Sequence, residues 1–139
     1  MRNSGDDMNT FKFNSLIPEL SVTDISITRH FYVDVLGFEI CYERKEDNFL
    51  FVRYENNQIM LEQLNDNWCT APMDYPFGRG INFEMTVSDV DAIYKRVINS
   101  KMDVFVEMET KVYKCGIEDV VQRQFLVQDP DGYLLRFCD

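Results

Sequence analysis

The sequence contains only one histidine, His30, among its 139 residues. His30 lies off the apolar stripe of its predicted helix, so we expect it at the protein surface. No other histidine is present to act as the base for a Ser or Cys nucleophile. A glycine-rich phosphate loop is also absent. These absences exclude the common nucleophilic dyads and nucleotide-binding loops.

Basic residues are scarce: 14 Lys and Arg side chains face 24 Asp and Glu, which gives a formal net charge of -10. Phosphate binding needs clustered basic side chains, so neither nucleic acid nor a membrane surface is expected as a partner. A cationic ligand matches this charge better, although many soluble proteins are equally acidic.

No apolar run is long enough to span a bilayer, and the chain does not begin with an apolar signal segment. Its four cysteines, Cys41, Cys69, Cys115 and Cys138, lack C-x-x-C spacing. We therefore expect a cytoplasmic protein with reduced thiols.

The strongest local signal is the stretch 125–137, in which two apolar runs flank Asp129-Pro130-Asp131-Gly132. Proline fixes φ at the first corner and glycine accepts a positive φ, so this stretch is predicted to be a β-hairpin. Alternation in the second arm places Arg136 on the same face as Leu134.

The first half of the chain predicts a βαβββ module over residues 14–64, after a flexible tail at residues 1–13. Pro18 suits a strand at a sheet edge, and Thr23-Asp24 can cap a helix that Gly37 ends. The apolar stripe of this helix is Ile27, Phe31 and Val35, with Tyr32 and Leu36 beside it. The predicted strands are Leu16–Val22, Phe38–Glu43, Asn48–Tyr54 and Gln58–Leu64, the last two joined by a turn at Asn56-Asn57.

A Pro- and Gly-containing linker, residues 65–80, leads to a second βαβββ module over residues 81–139. Its helix is predicted to have Ser88 as the cap, with Asp91 at the reciprocal position, and an apolar stripe of Val90, Ile93, Tyr94, Val97 and Ile98. Its predicted strands are Ile81–Val87, Met102–Glu107, Val121–Gln128 and Tyr133–Phe137. The helix entries V-T-D-I and V-S-D-V repeat, which indicates an α+β fold of two tandem modules.

These entries, together with Phe31-Tyr32, Leu36-Gly37-Phe38 and the closing D-P-D-G-Y, resemble the vicinal oxygen chelate superfamily, which includes glyoxalases and bleomycin resistance proteins. The resemblance is nearest to the bleomycin-resistance members. It implies a single domain over residues 14–139, with curled mixed sheets around a cleft, in a homodimer.

The resemblance also implies four metal-ligand positions, which Ile17, Glu62, Asn82 and Arg136 occupy here. Only Glu62 is a strong ligand, and a guanidinium repels a cation, so we expect no metal, no other cofactor and no catalytic residue. If the sheets curl as implied, Glu62 and Arg136 approach one another across the cleft. Two alternatives stay open: Glu62 anchors a cationic ligand, or Arg136 contacts an anionic one.

The implied function is a non-catalytic protein that binds a small molecule, sequesters a planar cationic antibiotic of the bleomycin type and thereby confers resistance. One stacking platform of the bleomycin binders is missing, because Val121-Gln122 stand where those proteins often have Trp-Gly. The alternatives are a metal-dependent enzyme of the superfamily (a glyoxalase-type lyase or a ring-cleaving dioxygenase) and a stress or regulatory domain with another ligand. The candidate ligand-binding residues are Tyr42, Phe49, Phe51, Tyr54, Glu62, Trp68, Asn82, Tyr113, Arg123, Phe125 and Arg136.

Overall fold

The computed structural model describes residues 12–139, which form two compact units. One unit reaches to Pro72 and the other is Met73–Asp139. Each contains a four-stranded mixed sheet and a helix, in the predicted βαβββ order. Most of the predicted flexible tail lies outside the described residues, but Phe13 is already packed against Phe51. No helix in residues 12–139 is both long and apolar enough to cross a membrane.

The sheet of the first unit has the strand order β1-β4-β3-β2, with β1 parallel to β4 and the other pairs antiparallel. Its strands are β1 (Glu19–Val22), β2 (Glu39–Arg44), β3 (Phe49–Tyr54) and β4 (Asn57–Gln63). A 3-10 turn, Lys45–Asp47, connects β2 to β3. The edge position of β1 follows from Pro18, which has no N-H to donate to a neighbouring strand.

Helix α1 (Ile25–Arg29) continues as a π-helical segment, His30–Val35. The Asp24 carboxylate caps it by accepting from the Ser26 and Ile27 amides at 2.9 and 3.4 Å. The prediction that Ile27 lies on the buried stripe is wrong, because Ile27 is exposed and Thr28 is buried. Successive residues of a helix lie roughly 100° apart, so only one of Ile27 and Thr28 can face the sheet together with Phe31.

The turn between β3 and β4 lies one residue earlier than predicted. Glu55, not an asparagine, adopts the positive φ of 53°. Asn57 already belongs to β4, and its side-chain amide donates to the Tyr54 carbonyl at 3.1 Å. Asparagine thus closes the turn through its side chain instead of through its backbone conformation.

The second unit repeats this arrangement with the strand order β5-β8-β7-β6, in which β5 is parallel to β8. Its elements are β5 (Asn82–Thr86), α2 (Val90–Asn99), β6 (Val106–Cys115), β7 (Glu118–Gln128) and β8 (Leu134–Cys138). The predicted closing hairpin is confirmed. The Asp129 carboxylate accepts from the Asp131 and Tyr133 amides at 2.9 and 3.0 Å, and Gly132 has a φ of 99°.

Three predictions for the second unit are wrong. The cap of α2 is Asp89, whose carboxylate accepts from the Ala92 amide at 3.1 Å, and not Ser88. Ile98, assigned to the apolar stripe, is exposed. Strand β6 begins at Val106 and runs to Cys115, well beyond the predicted Met102–Glu107, because its polar residues on both faces hide the alternation that marks a half-buried strand.

The core of each unit lies between its helix and one face of its sheet. In the first unit this core contains Phe31, Tyr32, Leu50, Val52, Ile59 and Leu61. In the second unit it contains Val90, Ile93, Val97, Phe125, Val127, Leu135 and Phe137. Because side chains alternate along a strand, every sheet residue next to these core residues points to the opposite face, away from the helix.

Candidate ligand-binding surfaces

Arg136 lies on the face of the second sheet that points away from α2, since its neighbours Leu135 and Phe137 are buried on the helix side. Its guanidinium donates through Nε to the Asn82 amide oxygen at 3.1 Å and pairs with the Glu84 carboxylate at 3.2 Å. A longer contact, 3.5 Å, reaches the Tyr113 hydroxyl. The structure therefore brings together three of the predicted site residues: Asn82, Tyr113 and Arg136.

Gln124 is the centre of a hydrogen-bond network on the same face, and its residue is only 3% exposed. Its side-chain oxygen accepts from the Tyr113 hydroxyl at 3.0 Å and from the Gln122 amide at 3.1 Å. Its own amide donates to the Glu109 carboxylate at 2.9 Å. A nearly buried amide keeps these partners because an unpaired one would cost desolvation energy.

The Gln122 amide also reaches the Glu84 carboxylate at 3.3 Å, which links Gln124 to Arg136. We call this connected set the polar network. Its members are Asn82, Glu84, Glu109, Tyr113, Gln122, Gln124 and Arg136. Two carboxylates and one guanidinium give the network a formal charge of -1. It therefore favours a ligand that forms hydrogen bonds and is not itself strongly negative.

The corresponding face of the first sheet is apolar and aromatic. The Tyr42 ring stacks on Phe51 with centroids 5.2 Å apart and on Phe49 at 6.0 Å, and Phe13 meets Phe51 edge-on at 5.4 Å. We call this set the aromatic cluster; it consists of Phe13, Ile17, Cys41, Tyr42, Phe49, Phe51 and Met60. Phe49 and Phe51 are buried, whereas Phe13, Ile17, Tyr42 and Met60 are only partly buried and form its outer layer.

Glu62 lies beside the aromatic cluster. It is directly opposite Phe49 on β3 and directly opposite Ser21 on β1, and cross-strand partners share a face. Its residue is half-buried. A carboxylate next to partly exposed rings is suited to a ligand that is both flat and cationic, because the charge and the ring of the ligand can be satisfied together.

A family model described as the Glyoxalase/Bleomycin resistance protein/Dioxygenase superfamily matches residues 13–137. The chain belongs to this superfamily. It is also 38% identical to a superfamily member from Vibrio splendidus 12B01, over 86% of this chain and 93% of that one, with a TM-score of 0.41. No curated protein matches the chain.

Solved structures of lower identity share the superfamily fold. TioX from Micromonospora sp. ML1 has a TM-score of 0.69 and 20% identity, over 91% of this chain and 98% of that one. An integron cassette protein from the mobile metagenome of V. cholerae has a TM-score of 0.65 and 21% identity, over 92% of this chain and 96% of that one. At these identities the likeness concerns the fold alone.

At three of the four positions where the superfamily resemblance implies metal ligands, the side chains Ile17, Asn82 and Arg136 do not fit a metal ion. Ile17 is an aliphatic member of the aromatic cluster. The Asn82 amide oxygen, which would face a cation, accepts a hydrogen bond from the Arg136 guanidinium. Within residues 12–139, no three His, Cys, Asp or Glu side chains are arranged to hold a metal. The Arg136 guanidinium therefore occupies a position where the resemblance implies a negative or neutral metal donor.

Two aromatic candidates of the superfamily site face the helices instead. The Tyr54 ring packs on Phe38 at 5.6 Å on the α1 side of the first sheet. Phe125 is 0% exposed and packs against Tyr94 at 5.0 Å and Phe137 at 5.5 Å. The expectation that these two rings line the ligand-binding face is therefore corrected, because strand alternation turns both toward the helix side, where Phe125 is buried in the core and Tyr54 is half-buried.

Arg123 also lies on the helix side, where it forms a bidentate ion pair with Asp91 on α2, both distances being 2.8 Å. This hydrogen bond from Arg123 holds the pKa of Asp91 below its ordinary value. Trp68, in contrast, is 78% exposed in the linker, with a φ of 64°. Arg123 thus forms a surface ion pair that connects β7 to α2. The Trp68 ring is exposed to solvent.

Four residues of the polar network were missed by the sequence analysis: Glu84, Glu109, Gln122 and Gln124. A signal for three of them was present. Strand period groups Gln122 with Gln124 and Glu84 with Asn82, and the pairing of β5 and β7 with β8 then places both groups on the face of Arg136. Glu109 could not be found, because its strand was misplaced.

Proposed function

We propose that the protein is a non-catalytic binder that sequesters a planar, cationic small molecule, with antibiotics of the bleomycin type as the ligand class. The observation that carries this proposal is the position of Arg136. The superfamily resemblance implies a metal ligand at this position, and the guanidinium found here contacts both Asn82 and Glu84. Members that act through a metal need donors there, so binding without metal chemistry is the better match.

The aromatic cluster supports the planar part of the ligand. Tyr42 and Met60 form part of its outer layer, above the buried rings of Phe49 and Phe51. Stacking of a flat ring on such a surface contributes about 0.5–1.5 kcal/mol per aromatic pair beyond area burial. Trp68 is a further aromatic residue whose ring is exposed.

The negative charge of the protein supports the assignment of a cationic ligand. Glu62 adjoins the aromatic cluster through its place opposite Phe49, and the whole chain carries a formal net charge of -10. An acidic surface raises the local concentration of a cation, and a nearby carboxylate can then accept a charge-assisted hydrogen bond. Glu62 is the residue to which we assign the ligand's positive charge.

The test is a calorimetric titration with metal-free bleomycin, carried out in chelator-containing buffer. We expect a dissociation constant of about 10 µM or tighter, which corresponds to at least about 7 kcal/mol of binding free energy. The Glu62→Gln variant keeps the side-chain shape and should weaken binding by roughly tenfold, since a charge-assisted hydrogen bond is lost. A bleomycin derivative without the cationic tail should bind the wild type and this variant equally.

Tyr42→Leu should weaken binding by about threefold to tenfold, the equivalent of one lost aromatic contact. The matched control is Tyr75→Leu, which removes an exposed ring from the other unit and should leave the affinity unchanged. Thermal unfolding of each variant establishes that it is folded. Absence of binding at about 100 µM ligand, where even a weak complex forms, would refute the assigned ligand class.

A further inference from the structure

The Arg44 side chain covers one of the aromatic rings of the first unit. Arg44 ends β2 and lies directly opposite Phe49, the first residue of β3. Its guanidinium carbon is 3.9 Å from the centroid of the Phe49 ring, a distance at which a guanidinium is attracted to the face of a ring. Its Nε also donates to the Asp47 carboxylate at 3.1 Å. A ring and a carboxylate therefore hold this guanidinium together.

Arg44 shares a face of the sheet with Glu62, the residue assigned to the positive charge of the ligand. Arg44, Phe49 and Glu62 are successive cross-strand partners on β2, β3 and β4, so their side chains project from the same face. Phe49 thus stands between a cationic and an anionic residue. Within the described part of the first unit, no side chain forms a hydrogen bond or an ion pair with the Glu62 carboxylate. No neighbour in its own unit therefore neutralises this carboxylate.

The Phe49 ring is closed to a ligand in this arrangement. Phe49 is only 3% exposed, and the Tyr42 ring stacks against it with the centroids 6.0 Å apart. Tyr42 also stacks on Phe51 at 5.2 Å, so it is held from two sides within the aromatic cluster. The Arg44 side chain, in contrast, is 32% exposed and has several rotatable bonds. Arg44 is therefore the side chain that can move to open the ring beside Glu62.

A guanidinium has the same chemistry as the proposed ligand, since it is both flat and positively charged. Two cations cannot stack on the same face of one ring, because they overlap and repel one another. We propose that Arg44 is an internal competitor of the ligand: in the free protein it occupies the place on Phe49 that a planar cation takes in the complex, and ligand binding displaces it. The assignment rests on the proposed function, because it names the side chain that limits binding at the same site.

The cost of displacing Arg44 determines how strongly it limits binding. A cation–π contact near the surface and an exposed ion pair are both weak, because water competes for the charges, and the Asp47 side chain is 52% exposed. Their usual energies together correspond to a factor of about 3 to 30 in an equilibrium constant. A neutral flat compound recovers only the stacking that Arg44 gives up, whereas a cation also gains Glu62. Neutral flat compounds are therefore expected to bind poorly.

The test compares Arg44→Ala with Arg29→Ala in calorimetric titrations with metal-free bleomycin. Each variant removes one arginine of a surface ion pair in the first unit, since Arg29 pairs with Glu43 at 2.9 Å, so the two change the net charge equally. Arg44→Ala should tighten binding by about threefold to thirtyfold, because the ligand no longer displaces a side chain. Arg29→Ala should change the affinity by less than about twofold. Thermal unfolding establishes that both variants are folded.

A second measurement follows the Arg44 side chain in the wild-type protein by NMR. The ring current of Phe49 shifts the resonance of the Arg44 Nε proton, and Phe49→Leu identifies this resonance by removing the ring. Saturation with metal-free bleomycin should move the resonance to the position of a solvent-exposed arginine. This measurement detects the displacement itself and does not require Arg44→Ala to fold.

The outcomes distinguish the role of Arg44 from the proposed function. If bleomycin binds but Arg44→Ala behaves like Arg29→Ala or weakens binding, the protein is a binder and Arg44 is not a competitor. The same holds if the Arg44 resonance stays in place at saturation. If bleomycin does not bind, the proposed function fails, and ethidium, a flat cation of another structure, decides the role of Arg44. Tighter ethidium binding to Arg44→Ala than to the wild type supports that role, and equal binding or none overturns it.

Discussion

The ion pair between Arg136 and Glu84 is the contact most open to a quantitative test. The perturbation is a double-mutant cycle with Arg136→Met, Glu84→Gln and the combined variant. At the observed 3.2 Å the Coulomb attraction of two unit charges is about 1.3 kcal/mol in bulk water and about 5 kcal/mol at an effective dielectric constant of 20. The side chains are 23% and 46% exposed, so solvent screens the pair and we expect a coupling energy of about 1 kcal/mol.

The assay is urea unfolding of the four proteins, at low salt and at about 1 M salt, where the screening length falls to roughly 3 Å. The coupling should be present at low salt and shrink at high salt. A second double-mutant cycle combines Arg136→Met with Glu62→Gln in place of Glu84→Gln. We expect the effects of these two substitutions on the free energy of unfolding to add within about 0.5 kcal/mol, because Arg136 already pairs with Glu84.

The reverse outcome would refute the assignment of Glu84 as the partner of Arg136. A coupling of several kcal/mol between Glu62 and Arg136, with none between Glu84 and Arg136, would mean that the pair expected from the sequence replaces the metal. Glu62 would then be committed to Arg136 and could not anchor a cationic ligand. The cycle with Glu62→Gln therefore decides whether Glu62 contacts Arg136.

Three further predictions follow. Gly132→Ala should lower the free energy of unfolding in urea by about 2–4 kcal/mol, because the added Cβ would lie 2.5 Å from the Cβ of Pro76. Gly116→Ala should lower it by only about 1 kcal/mol, because no atom lies within 4 Å of the added Cβ. In alkylation followed by mass spectrometry, Cys115 is exposed, whereas burial raises the pKa of the Cys138 thiol, so Cys138 should react roughly a hundredfold more slowly. Phe125→Leu should cost about 1–3 kcal/mol of stability and leave the bleomycin dissociation constant unchanged within about twofold, because this ring is in the core.

Each of these predictions has a clear contrary result. Equal losses for Gly132→Ala and Gly116→Ala would show that the hairpin contact is not tight. Equal alkylation rates for the two thiols in native protein would contradict the buried position of Cys138; in urea the rates should converge. A large loss of bleomycin affinity in folded Phe125→Leu protein would mean that the Phe125 ring contributes to ligand binding.

The repeated helix entries and the closing turn could be predicted because local chemistry determines them. Asp129 and Gly132 specify the hairpin through a carboxylate that accepts backbone amides and a positive φ, and the structure has both. Strand period also placed Arg136 on the face of Leu134, and the structure has Leu135 and Phe137 buried on the other face. Elements whose signals are local were therefore found at nearly the correct boundaries.

What failed depends on contacts distant in sequence. Phe125 and Arg123 looked like site residues beside Arg136, but the face they share is decided by packing of β7 against α2, through Tyr94 and Asp91. Strand β6 was misplaced because both of its faces are largely solvated, so alternation carried no information about it. The polar network could not be assembled without the pairing of all four strands of the second sheet, in the order β5-β8-β7-β6.

The central claim is that the protein holds an intact cationic ligand without using a metal. Native mass spectrometry of protein purified without chelator and then incubated with metal-free bleomycin tests it in one spectrum. We expect a complex whose added mass is that of unmodified bleomycin, with no tightly held transition metal in the free protein. About one Fe, Ni, Zn or Mn per chain that resists dialysis, or a bound ligand of altered mass, would contradict it.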